Sequence, residues 1–149
     1  MKNWFLTILL ALFTLTTLAS PALAADQWHK FSAKDAIAGD LGKKTLNPKI
    51  RLYMKGEQHG KVVKQLGEYK ANKRSNGFGH SAQSACDRAF ISALVSLQER
   101  AEREGGNAVI DIYTITKDEK FESPDQYSCI KGAFVTNVAL MGTVAKLAQ

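Results

Sequence analysis

From Ser81 the apolar positions settle into a helical rhythm. Ala82, Ala85, Cys86, Ala89, Phe90, Ala93, Leu94, Leu97 and Ala101 recur at spacings of three and four, which lines them along one helix face. Asp87, Arg88, Ser92, Gln98, Glu99, Glu102 and Arg103 fall outside that stripe. Ser81 is placed to cap the first turn, and Gly105-Gly106 supply a left-handed stop. The many alanines let the helix backbone lie close to whatever it covers. The segment from Asn107 to Thr116 then reads as a strand. Alternation puts Ala108, Ile110, Ile112 and Thr114 on one face, and Val109, Asp111, Tyr113 and Ile115 on the other.

Elsewhere the signals are shorter. Ser32-Ala33-Lys34-Asp35 has capping-box spacing with Asp in place of Glu. It predicts a short helix from about Ala33 to Ala38, stopped by Gly39. Leu41 to Pro48 reads as a connection. Ile50 to Met54 alternates as a half-buried strand, Gly56 to Gly60 as a turn, and Val62 to Asn72 as a second strand paired with the first in a hairpin. Asn72 to Gly79 is polar and glycine-rich, a loop, and Lys117 to Gln126 is a charged loop. Tyr127 to Phe134 and Thr136 to Leu147 are two strands or one long bent one. Gly132 and Gly142 mark bulges or close approaches. The fold class expected is α+β: an antiparallel sheet of about four to five strands with one long amphipathic helix on one face.

The ends change the picture. Residues 1–24 combine Lys2, an apolar run from Trp4 to about Leu18, and small residues ending Ala22-Leu23-Ala24. This is the pattern of a signal peptide cleaved after Ala24, leaving residues 25–149 as a single domain in the periplasm. No other stretch approaches the ~20 apolar residues of a transmembrane helix. Removing Lys2 leaves 19 basic against 14 acidic side chains, a net charge of +5. Such an excess fits anionic partners and equally an ordinary solvated surface. Two cysteines in an exported chain, Cys86 and Cys129, point to one disulfide. Closing the loop between them stabilises the fold by about 4 kcal/mol on the chain-entropy model, a large share of the ~5–15 kcal/mol typical of a domain.

Several runs resemble a family of small exported bacterial proteins often labelled "excinuclease ATPase subunit". They include Leu66-Gly67-Glu68-Tyr69, Asn76-Gly77-Phe78, Cys86-Asp87-Arg88-Ala89-Phe90, Leu97-Gln98-Glu99-Arg100-Ala101, Gly105-Gly106-Asn107-Ala108-Val109, Tyr127-Ser128-Cys129 and Val138-Ala139-Leu140-Met141-Gly142-Thr143-Val144. That family has no characterised function, and the label conflicts with the chemistry here. A phosphate-binding loop needs G-x-x-x-x-G-K-[ST]. The nearest run, Gly56 to Val62, is one residue short between its glycines and lacks the hydroxyl. Neither an ATPase nor a nuclease is expected, and nucleic acid is not an expected partner outside the cytoplasm. A more distant likeness is to the outer-membrane lipoprotein that senses stress in the Rcs phosphorelay, which has a similar helix, an N-A-V strand and cysteine-bearing strands. Its lipid-bearing cysteine, proline-rich linker and second cysteine pair have no counterpart here.

The chemistry-bearing residues are sparse. His29, His59 and His80 are scattered, without zinc-site spacing, so no metal site or cofactor is expected. No serine sits in G-x-S-x-G. Asp111 is the one acid inside a strongly apolar run, either solvent-facing or part of a site. Lys61, Lys64, Lys70, Lys73 and Arg74, with Tyr69 and Phe78 nearby, form a candidate anion-binding patch, or else a plain solvated hairpin. The leading expectation is a non-catalytic periplasmic module that binds anionic envelope components or an envelope protein. A small periplasmic enzyme is the alternative. A pocket holding Asp111 or His80 with another ionisable group would favour it. An oligomerising structural protein, joined through a sheet edge or the C-terminal strand, is a third.

Overall fold

The structure is a computed structural model that describes residues 25–148; the expected signal peptide lies outside the described residues. The main helix, α3 (Ala82–Glu104), begins at Ser81, whose hydroxyl accepts the Ser84 N–H at 3.1 Å, and ends on Gly105 at φ 75°. Local capping therefore fixes both ends. The short helix α1 (Ala33–Ala38) starts on Ser32, whose hydroxyl accepts the Asp35 N–H.

Seven strands form one sheet: β1 (Gln27–Ser32), β2 (Arg51–Met54), β3 (Val62–Asn76), β4 (Ala108–Thr116), β5 (Glu119–Phe121), β6 (Gln126–Lys131) and β7 (Val135–Leu147). The axis is β7, which is flanked along its whole length by β3. Its other side is shared: β6 pairs with Thr136 and Asn137, and β4 with the stretch from Leu140 to Ala145. β1 lies beyond β6, β2 beyond β4, and β5 folds back on the end of β4. Where β4 leaves β7, two buried threonines replace the lost ladder. Thr116 Oγ1 accepts the Ala139 N–H at 3.0 Å, and Thr114 Oγ1 accepts the Ser128 N–H at 3.1 Å.

The α+β class stands, with more strands than expected and several local corrections. The hairpin of the first two strands does not form. β2 instead pairs in parallel with β4, where its inward Met54 meets Ile112, and β3 lies at the far side against β7. The region from Tyr127 to Leu147 is two strands. β3 continues through Asn76, so the polar run after Asn72 is largely an exposed edge strand, not a loop. The charged loop contains β5. The connection after Leu41 contains a further helix, α2 (Asp40–Thr45), in which Gly42 makes the close packing possible: a Cβ there would stand 2.2 Å from the Ile37 carbonyl oxygen. Strict alternation in β4 also fails. Asp111 takes φ 53° and the register with β7 shifts there, so Val109 and Ile112 share the helix-side core while Ala108 and Ile110 pack on the opposite side.

The core lies between α3 and the sheet. Ala89, Phe90, Leu94 and Leu97 meet Val109, Ile112, Tyr127, Val138, Leu140 and Val144. Gly142 leaves room for this packing, since a Cβ there would lie 2.7 Å from Val109 Cγ1 and 3.2 Å from Leu97 Cδ1 of the helix. Cys86 and Cys129 form the disulfide, their Cα atoms 5.9 Å apart, joining α3 to β6. The α1–α2 pair covers a second flank of α3, so Ile91 and Gln98 are buried although the apolar stripe omits them. Gln98 accepts the Asn47 N–H at 2.8 Å and donates to the Asn47 and Ile50 carbonyls, fastening the entry to β2. Among the described residues no helix is long and apolar enough to cross a membrane.

Candidate functional site

The sheet face away from α3 carries the most organised polar surface. Where β4 leaves β7, the strands part around a depression of about 430 Å³. Its floor is Ile130, Asn137 and Ala139, one wall is Lys70, Asn72 and Arg74 of β3, and the other is Lys117 and Asp118. Those last two residues form the two-residue turn between β4 and β5, at φ 51° and 61°. Positive φ at both central positions matches the right-handed twist of a hairpin, but it is costly for residues other than glycine. The strained turn holds Lys117 Nζ 2.7 Å from Asp26 and Asp118 3.6 Å from Lys70 Nζ. Across the floor, Asn137 Nδ2 donates to Asn72 Oδ1 at 2.6 Å and to the Lys73 carbonyl at 3.1 Å. Arg74 is exposed and, among the described residues, forms no ion pair. The basin thus has three cations, two carboxylates and two side-chain amides, with one guanidinium uncommitted. Such a fork suits a phosphate or carboxylate.

A groove of about 540 Å³ continues along this face between β1 and β5. There Lys30 Nζ lies 4.4 Å over the Phe121 ring, and Lys120 pairs with Glu122.

The five basic residues singled out in the sequence are all exposed, but they do not converge. At about 3.3 Å per residue, Lys61 and Arg74 lie ~40 Å apart along an extended chain. Lys70 and Arg74 enter the basin. Lys73 points to the other face, beside Ile91 and Val95 of α3. Lys64 stands opposite Lys146, and Lys61 lies before β3 near the chain's end, its carbonyl accepting the Ala148 N–H. Among the described residues β3 pairs only with β7, so these lysines stud a free sheet edge, where charge holds off pairing with another chain. Tyr69 belongs to the helix side, under the Arg100 guanidinium at 4.2 Å. Lys117 and Asn137 carry no local signal in the sequence. They reach the basin only through long-range strand pairing.

Asp111 lies at the β4 bulge and pairs with Lys55 at 3.1 Å, both partly exposed. His29 stacks on Phe31, while His59 Nδ1 is 2.9 Å from the Gly60 carbonyl and its ring meets Tyr53. His80 opens onto a cleft of about 470 Å³ between α1–α2 and α3, with Asp35, Asp40, Asp87 and Arg88. There the Tyr127 hydroxyl donates to Asp87 at 2.5 Å, and the Tyr127 ring stacks on Phe90 at 4.0 Å. Burial raises the Asp87 carboxyl, a shift opposed by the Tyr127 hydrogen bond and reinforced by Asp35. Tyr127, fully buried, is held protonated by burial first and by Asp87 second. Arg88 Nε and Nη2 are buried without a protein partner. Among the described residues no group of three or more His, Cys, Asp or Glu is placed to hold a metal ion.

Compared with known proteins, the chain matches no family model, no curated protein and no solved structure.

Proposed function

We propose that this chain is a non-catalytic binding module of the bacterial envelope, acting in the periplasm, and that its basin recognises phosphate- or carboxylate-bearing envelope material. The observation that carries the reading is the uncommitted Arg74 beside Lys70, Lys117, Asn72 and Asn137 in one depression. Backbone strain concentrated in the turn that presents Lys117 supports it, because such strain collects at functional sites. The disulfide fits an oxidising compartment, and the resemblance to small exported proteins points the same way.

The test is calorimetric titration of the oxidised protein with inorganic phosphate and with a phosphorylated hexosamine, at low and high salt. Binding saturates, weakens with salt, and falls at least about tenfold in Lys70→Gln/Arg74→Gln/Lys117→Gln. It is unchanged in Lys61→Gln/Lys64→Gln/Lys73→Gln, whose side chains lie outside the basin. Equal losses in both triple variants would reduce the effect to net charge and overturn the assignment.

A second reading, a small enzyme, is favoured by one observation: His80 shares its cleft with Asp87, a carboxyl raised by burial. Under our reading the saccharides are recovered intact after incubation. Conversion that Asp87→Asn abolishes would establish the alternative. The third reading, assembly through a sheet edge, is opposed by the lysines along β3, and light scattering showing a monomer would remove it.

A further inference from the structure

At the end of the two longest strands, Phe78 and Phe134 are 65% and 63% exposed, and Val135 beside them is 49% exposed. Single exposed apolar residues are ordinary, but these form one patch. The two rings stack at 5.8 Å with planes 15° apart. Their turns are fastened: the Gly77 N–H donates to the Phe134 carbonyl at 2.8 Å, the Gly132 N–H to the Val135 carbonyl at 2.9 Å, and the Phe78 N–H to Asn76 Oδ1 at 2.9 Å. The rings are therefore presented outward by hydrogen-bonded backbone.

The patch is continuous with the basin, since Val135 lines both. Asn76 pairs with Val135 and Arg74 with Asn137, so Arg74 sits about 7 Å behind Val135, two residues back along the strand, with the two rings further ahead. Lys131, the last residue of β6 before the turn that carries Phe134, turns its ammonium to the Gly132 carbonyl at 3.5 Å. Apolar rings ahead of cations at this spacing match the interface of an anionic bilayer, where apolar groups enter ~5–10 Å and basic groups meet phosphates. Two phenyl rings and a valine offer at most a few hundred Å², below the ~500 Å² per partner that makes up the ~1,000 Å² total of a stable protein interface.

We propose that the Phe78–Phe134 tip inserts into the headgroup region of an anionic lipid bilayer while Arg74 and its basin take a lipid phosphate. This rests on the anion-binding reading and names the lipid surface as the source of the anion. The test is co-sedimentation of the oxidised protein with vesicles of phosphatidylcholine and phosphatidylglycerol (3:1), or of phosphatidylcholine alone. A parallel titration uses inorganic phosphate.

Binding to the anionic vesicles exceeds that to the neutral ones. It drops at least about tenfold in Phe78→Ser/Phe134→Ser, while phosphate binding is unchanged. Both side chains are exposed, so the double variant keeps the wild-type circular dichroism. In Phe78→Trp, vesicle binding persists and the added emission shifts to the blue. Phosphate binding without vesicle binding, or vesicle binding indifferent to the serine variants, would overturn the lipid assignment and leave the anion reading standing. Loss of both would remove the two together. A dimer that the serine variants convert to monomer would assign the tip to a second copy of the chain instead.

Discussion

Lys117 and Asp118 hold left-handed backbone that glycine would adopt without cost, and both project over the basin. A turn selected for stability alone would carry Asn-Gly here. Lys117→Gly should therefore raise stability by about 1 kcal/mol, the order of the left-handed penalty. The exposed pair with Asp26 that it removes is worth little. The same variant should weaken anion binding, and denaturant melts beside calorimetry check the two effects. Asp87 offers a second test. Its carboxyl is raised above 3.8 by burial, so the folded chain holds that proton more tightly than the unfolded chain. Its contribution to stability is full below about pH 3.8 and is lost as pH rises through the folded-state value. Asp87→Asn removes the titration and keeps an acceptor for Tyr127. It should be more stable than the wild type at pH 7, and the gap should close as the pH falls towards 3.8, read from urea midpoints.

Among the elements, the staple from α3 to β6 is the most consequential single link. Replacing both Cys86 and Cys129 with alanine should lower stability by about 4 kcal/mol, measured by denaturation and compared with the oxidised wild type. The staple was legible because it needs only two cysteines and a compartment. The caps at Ser32 and Ser81 and the stop at Gly105 were legible because their chemistry is local. Strand partners were not. Nothing within Arg51–Met54 says that its neighbour is β4 rather than β3, since pairing is chosen by which apolar side chains fill the core under α3. The helix stripe was legible where the sheet covers it. Gln98 and Ile91 were missed because α1 and α2 bury a second flank, and a polar glutamine is retained there to satisfy the Asn47 and Ile50 backbone.

At the scale of the whole molecule, the sheet separates two roles. One face binds α3 and makes the main core; the other carries the small buried cluster of Ala108, Ile110, Ala145 and Leu147 and opens where β4 and β6 diverge along β7. The net charge fits anionic partners and an ordinary solvated surface alike, and names no place on either. Of the basic run on β3, Lys70 and Arg74 face the basin and Lys73 does not, a division set by strand alternation once the register is known. Lys117, Asn137 and Phe134 lie far along the sequence from the β3 residues they join and gain significance only once the pairing of β7 with β3 and β4 is known. The most direct measurement is a ¹⁵N-resolved NMR titration of the oxidised protein with the phosphorylated hexosamine. The account predicts saturable shifts centred on Lys70, Asn72, Arg74, Lys117 and Asn137, absent in Arg74→Gln. Shifts centred instead on His80, Asp87 and Arg88, or none at millimolar ligand, would contradict it.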